Sequence, residues 1–307
     1  MDLKSKIILI YGPTASGKSK FAIKLAKKIK GEIINADSIQ VYKELKILSA
    51  RPLRKDFQNI KHHLYGFQNV KKKFSTGDWL KLVNQKLLDL KKRKKIPILV
   101  GGTGLYFKAL TEGLADIPNI PIRFRKKARS LHSKLGSKNF YFKLTKIDPL
   151  VKNRINPLDT QRSIRAYEVK MFTKKSIYEF FKNTKSNYEK KDFYKIYIDF
   201  PREEIVERIF LRAQEMIKGG AIQEVKRFIK LEVPKNKTSY KAIGINELKE
   251  YIDKKLKIID VIEKISIKTR QYAKRQSTWA RGNMSDWNKI TPNNLNKFLK
   301  KFWIFLT

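Results

Sequence analysis

Residues 6–19 read KIILIYGPTASGKS, a near-continuous apolar run, Lys6–Tyr11, that empties into a glycine-rich loop, Gly12–Ser19. An apolar run without polar alternation suits a strand buried on both faces, as in a parallel sheet. Gly12, Pro13, Thr14, Ala15, Ser16, Gly17, Lys18 and Ser19 satisfy the phosphate-loop pattern G-x-x-x-x-G-K-[ST] in full. After the loop, Phe21, Ile23, Leu25, Ala26 and Ile29 recur at helical spacing and stop near Gly31. Strand, loop and helix in this order make a cage of backbone N–H groups at a helix N-terminus, where the glycines allow a tight wrap around phosphate oxygens. Lys18 adds a mobile positive charge, and Ser19 offers a hydroxyl to a magnesium ion. The pattern implies a diphosphate or triphosphate and leaves the reaction open.

Outward from this loop, Glu32–Ala36 reads as a second short strand ending in Asp37. Thr76–Lys94 reads as an amphipathic helix with Leu80, Val83, Leu87 and Leu90 on its apolar stripe, and Ile96–Val100 as a third strand running into Gly101–Gly104. Strands alternating with helices, with glycines at strand exits, indicate a parallel α/β sheet. The character changes after Asp116: DIPNIP is turn-like, and basic helical segments follow to about Lys191. Phe193–Phe200 resumes a strand, and Pro201 is expected in the first turn of the next helix, with Glu203 and Glu204 at its positive end. The expected organisation is an α/β core of the P-loop NTPase-like kind from residues 1–116 and 192–307, with a helical insertion at 117–191. The C-terminal region should be helical and basic to Thr307.

The chain has 307 residues, 41% of them hydrophobic, which supports a real core. Its formal charge of +42 attracts polyanions, nucleic acid first and acidic membrane second. Enrichment in Lys, Ile and Asn throughout, as AT-rich coding produces, contributes part of that charge. There is no cysteine, so disulfides, Cys-ligated zinc and thiol catalysis are excluded. The first apolar run is too short to span a bilayer and leads into the loop rather than a cleavage site, so a soluble cytoplasmic protein with no membrane partner is expected. His62, His63 and His132 form no ligand pattern.

A phosphate loop first suggests a nucleotide kinase or NTPase. The strand Ile96–Val100, however, ends in glycine rather than in the acidic residue that an NTPase uses for magnesium. Further motifs in order are NADSIQVYK (Asn35–Lys43), GGTGLYFKAL (Gly101–Leu110), NPLDTQRSIRAYEV (Asn156–Val169), KAIGINEL (Lys241–Leu248) and RQYAKRQSTWAR (Arg270–Arg281). With the loop, they resemble the tRNA dimethylallyltransferase (isopentenyltransferase) family across nearly the whole chain. The resemblance implies dimethylallyl diphosphate as donor, Mg2+ as cofactor, and the anticodon stem-loop of tRNA as partner. The acceptor it implies is N6 of the adenine immediately 3′ of the anticodon, and a monomeric enzyme is expected. An adenylate prenyltransferase would not need the basic insertion and C-terminal helix, and a non-catalytic RNA-binding protein would not need the loop followed by Asp37.

An exocyclic adenine amine is a weak nucleophile and needs a base for its proton. The resemblance gives that role to Asp37; a magnesium-shell or turn-capping carboxylate is the alternative. Lys18 and Thr14 are expected on the diphosphate. Arg212 falls at the border of the stripe Ile205, Ile209, Ala213 and Met216, where arginines usually reach to water, but the resemblance assigns it to the diphosphate. Ser38, Ile39 and Gln40 are expected to line the pocket of a flipped adenine, with Thr103 on the same sheet edge. Arg125, Gln161, Arg162, Ser163, Ile164 and Arg165 match the family's RNA-contacting positions. So do Lys241, Ala242, Ile243, Gly244, Ile245 and Asn246, although Ile245 stands where the family has an aromatic. In Arg270–Arg281, basic residues interleaved with Tyr272 and Trp279 suit RNA.

Overall fold

The structure is a computed structural model and describes residues 6–301. Its strands are β1 (Ile7–Tyr11), β2 (Glu32–Asn35), β3 (His62–His63), β4 (Pro97–Gly101), β5 (Phe193–Ile198) and β6 (Asn288–Ile290). They form one 6-stranded sheet in the order β3-β2-β4-β1-β5-β6, with every pair parallel. The helices are α1 (Lys18–Ile29), α2 (Thr76–Lys92), α3 (Gly104–Glu112), α4 (Ile122–Ile147), α5 (Thr160–Thr173), α6 (Ile177–Lys182), α7 (Arg202–Lys218), α8 (Ala221–Lys230), α9 (Ile245–Ile252), α10 (Ile258–Asn283) and α11 (Leu295–Lys301). Among the described residues, no helix is long and apolar enough to cross a membrane.

β1 sits between β4 and β5, with Ile10 beside both Val100 and Ile196. Ile8, Leu9, Ile10 and Tyr11 are completely buried, which is why the strand carries no polar alternation. The stripe of α1 covers one face of the sheet through Phe21, Leu25, Ala26 and Ile29. On α2 the buried residues are Trp79, Val83, Leu87 and Leu90, so Trp79 replaces the expected Leu80. The Trp79 ring stacks on Tyr106 at 4.2 Å, and its Nε1 donates to the Asn35 carbonyl at 2.9 Å, fixing the end of β2. The edge strands β3 and β6 have two and three residues, too few to leave a periodic signal. Pro201 is the N-cap of α7 rather than a residue of its first turn. Helix expected beyond residue 301 lies outside the described residues.

The chain divides into two compact units, one of residues up to Lys108 together with those from Tyr188, the other Ala109–Asn187. The limits of the second differ from the expected 117–191. Ser186 Oγ donates to the Leu110 carbonyl at 2.6 Å and joins its two ends. This unit is helical, with Phe140, Leu144, Ala166, Tyr167 and Val169 in its core. Gly136, at φ 70° and ψ 170°, interrupts α4.

Candidate active site

The glycine loop leaves the carboxyl end of β1 and turns directly into α1. Gly17 caps the helix at φ 79°, a left-handed conformation that costs glycine nothing. The first turn of α1 holds no acidic residue, so the helix's positive end is not neutralised from within. Lys18 folds back over the loop, and its Nζ donates to the Pro13 carbonyl at 3.2 Å. Burial lowers the Lys18 ammonium to about 8; Asp37 opposes the shift and Arg212 adds to it. Ser16 Oγ is buried in the loop with no hydrogen-bond partner among the described residues.

Asp37 follows β2 by two residues and is held on both sides. Asn35 Oδ1 accepts from the Asp37 N–H at 2.9 Å, and Asn35 Nδ2 donates to the Asp37 and Leu64 carbonyls, each at 3.0 Å. Asp37 Oδ1 accepts from the N–H of Ile39 at 2.9 Å and of Gln40 at 3.3 Å. The turn-capping role is therefore real, and it occupies one oxygen. Oδ2 accepts no hydrogen bond among the described residues. Thr103 Oγ1 accepts from the Ser38 N–H at 2.9 Å, which ties this turn to the exit of β4. The strands approach closely here: a Cβ on Gly101 would lie 2.0 Å from the Ala36 carbonyl oxygen.

These groups open onto one cavity of about 390 Å³. Thr14, Lys18, Ser19 and Arg212 form its cationic and hydroxylic end, and Asp37 to Gln40 form a second wall. Ile209, Ala213, Met216 and Ile265 supply an apolar surface between helices. Arg212 turns into the cavity, where its Nη1 donates to Thr14 Oγ1 at 3.2 Å. Burial lowers the guanidinium from its ordinary value, with Asp37 and Glu215 opposing. Tyr272 and Arg275 of α10 also line the cavity, and burial, then Asp37, raise the Tyr272 phenol. The Ser19 hydroxyl and the Asp37 carboxylate are hard oxygen donors of the kind magnesium takes. The described residues contain no cluster of three or more His, Asp or Glu that could hold a metal ion.

Lys241, Ala242 and Ile243 also line the cavity. Thr103 does not line it but holds Ser38. Gln40 lines it with a restricted role: Nε2 donates to the Ser49 and Ala50 carbonyls at 3.0 and 3.3 Å, leaving Oε1 for a ligand. Ile245 was expected among the RNA-contacting positions, with a stacking role in doubt. It is completely buried beside Val41, Leu48 and Ile265, and offers no side chain to RNA. Gly244 caps α9 at φ 107° with its N–H donated to Glu247 Oε2, whereas Asn246 is exposed. In the second unit Ser163, expected to contact RNA, is buried on the face of α5 that carries Ala166 and Tyr167. Gln161 and Arg162 are exposed and Ile164 is half-buried. Arg162 and Arg165 pair with Asp159 and Glu168 at 3.3 and 3.5 Å, and Arg125 Nη2 donates to Asn119 at 3.4 Å. Trp279 packs inward, its ring centroid 5.8 Å from that of Tyr11.

Two residues that brace the site have no role legible in the sequence. Glu224 on α8 is buried and accepts the N–H groups of Lys46 and Ile47 at 2.8 Å and of Leu48 at 3.0 Å. It thereby shapes Leu48, Ser49 and Ala50, which line the cavity. Gln276 on α10 accepts from the Thr14 N–H at 2.8 Å. It lies inside the motif Arg270–Arg281, as a polar residue in the buried stripe Ala273, Gln276, Ala280.

A parallel sheet with a glycine loop, a cationic end and a carboxylate around one cavity at the strands' carboxyl edge defines an α/β protein built to bind and process a phosphorylated ligand. The comparisons narrow this. The IPP transferase family model matches residues 40–283, and the chain belongs to that family. It is 56% identical over 301 residues to the tRNA dimethylallyltransferase of Pelagibacter ubique, covering 98% of this chain and 96% of that one. The tRNA dimethylallyltransferase of Rickettsia massiliae is 41% identical, covering 96% and 81%. Among solved structures, a eukaryotic dimethylallyltransferase acting on tRNA superposes with a TM-score of 0.81 at 28% identity, covering 95% of this chain and 75% of that chain. The full-length tRNA isopentenylpyrophosphate transferase of Bacillus halodurans gives 0.69 at 29% identity, covering 98% and 95%.

Proposed function

We propose that this chain transfers the dimethylallyl group of dimethylallyl diphosphate to N6 of the adenine immediately 3′ of the anticodon in tRNA, releasing diphosphate. One observation carries the reading: Thr14, Lys18 and Arg212 share a single cavity with Asp37, and an apolar wall lies beside them. The cationic end suits the diphosphate, the wall of Ile209, Ala213 and Met216 suits a five-carbon prenyl chain, and Asp37 suits the proton of the incoming amine.

In this reaction the C–O bond to diphosphate breaks, the C–N6 bond forms, and the N6 proton passes to Asp37 Oδ2. Oδ1 keeps the turn in place through Ile39 and Gln40 while Oδ2 works as base. Lys18, Arg212 and the uncommitted N–H groups of the loop face the charge that grows on the leaving group and stabilise it as preorganised donors. Magnesium, held by Ser19 and the phosphates, would add further charge neutralisation there. Asp37, Ser38 and the Oε1 of Gln40 receive a base taken out of its stack. A monomer acting in the cytoplasm is part of the same proposal.

The test is incubation of the purified chain with unmodified tRNA and dimethylallyl diphosphate, followed by nucleoside mass analysis. Prenylated adenosine is the expected product, and its absence sinks the reading. A parallel incubation with ATP should give no phosphate transfer; transfer would favour a kinase.

A further inference from the structure

Gln276 engages both ends of its side-chain amide beside the site without lining the cavity. Its side-chain Oε1 accepts from the Thr14 N–H at 2.8 Å, and its Nε2 donates to the Gly102 carbonyl at 2.8 Å. Its backbone carbonyl accepts from the Tyr11 hydroxyl at 2.9 Å. The residue is only 5% exposed. Gly102 is required for this approach, because a Cβ there would lie 2.1 Å from the Gln276 amide nitrogen.

Two consequences meet at this side chain. The Thr14 N–H is committed to protein, which sets the orientation of Thr14 while its hydroxyl accepts from Arg212. On the other side, Gly102 leads into Thr103, whose hydroxyl holds the N–H of Ser38, the residue after Asp37. A continuous chain of contacts thus runs Arg212–Thr14–Gln276–Gly102–Thr103–Ser38. We infer that Gln276 is a positioning residue that holds the leaving-group end of the cavity in register with the turn carrying Asp37. What the two ends do rests on the reaction proposed above; that Gln276 couples them rests on the hydrogen bonds alone. A displacement reaction is sensitive to such register, since misplacement by about 1 Å costs on the order of 100-fold in rate.

Gln276→Met keeps the volume and removes both side-chain hydrogen bonds. Gln276→Asn is one methylene shorter and reaches at most one of its two partners. In single-turnover assays of the full chain with tRNA and dimethylallyl diphosphate, the expected result for Gln276→Met is a rate lower by about 10- to 100-fold. KM for each substrate should stay within about threefold, a split that loss of general packing does not produce. Gln276→Asn should fall between it and the parent. Independently of any reaction, amide exchange followed by NMR should be faster by about tenfold at both Thr14 and Ser38 in Gln276→Met, with Ile8–Ile10 unchanged. A rate within twofold of the parent, a loss carried wholly by KM, or unchanged Ser38 exchange overturns the coupling. If Gln276→Met does not fold, Gln276→Asn decides by the same two measurements. If the parent forms no prenylated adenosine, the proposed reaction fails and the exchange data alone decide the coupling.

Discussion

Arg212 and Thr14, 198 residues apart in the chain, meet at 3.2 Å through Nη1 and Oγ1 at the cationic end of the cavity. The contact aims a threonine hydroxyl and a guanidinium at the same point, where a leaving diphosphate would gather charge. Arg212→Ala should therefore lower kcat/KM for dimethylallyl diphosphate by about 100- to 1000-fold, as removal of a preorganised charge-stabilising donor does. Affinity for tRNA, measured by filter binding, should change little. Equal losses in both would remove Arg212 from the donor site.

Asp37→Asn separates the two duties of that residue. The asparagine Oδ1 still accepts from the N–H groups of Ile39 and Gln40, so the turn survives, but the second position no longer takes a proton. Turnover should fall by about 100- to 10,000-fold with the fold and tRNA affinity retained. Rapid-quench turnover and circular dichroism together check this.

The Lys18 ammonium titrates near pH 8 because burial disfavours its charge. In the proposed reaction its protonated form binds diphosphate, so donor affinity should be held below that pH and lost as pH rises through it. The slope of log kcat/KM for the donor should approach minus one per pH unit above about 8. Bound diphosphate favours the ammonium, so the break in kcat should lie at higher pH than that in kcat/KM. Lys18→Arg should abolish the break, because a guanidinium stays charged across this range.

Glu224→Gln tests the loop that carries Leu48, Ser49 and Ala50. A carboxylate serves the three N–H groups of Lys46, Ile47 and Leu48 with two oxygens, whereas an amide brings one oxygen and turns an NH2 toward a donor. Leaving a buried N–H unsatisfied costs about 1–3 kcal/mol, which urea unfolding should detect. KM for tRNA should rise more than KM for the donor, because this loop lies on the Asp37–Gln40 side.

The extent to which the site was legible follows from how far apart its parts lie in the chain. β1, the glycine loop and α1 are consecutive, so their apolar pattern and glycine spacing show both the element and its chemistry. Asp37 is legible for the same reason, as a carboxylate just beyond a short strand. At Ile245 and Ser163 the motif names positions and not the direction of side chains, which packing turns inward. Trp279 looked like an RNA-stacking residue and packs on Tyr11, since an exposed basic helix still needs one apolar face against the core.

From its sequence alone, this chain was an α/β protein with a phosphate loop, a basic surface and a carboxylate at a strand exit. Those features are local, set by backbone periodicity and by residues within one turn of each other. Tertiary structure alone decided that Arg212 turns to Thr14, that Glu224 braces a loop 176 to 178 residues away, and that Gln276 spans 262 residues to hold the loop. Such pairings carry no sequence period, because they form where parallel strands end side by side and bring distant segments to one edge of the sheet.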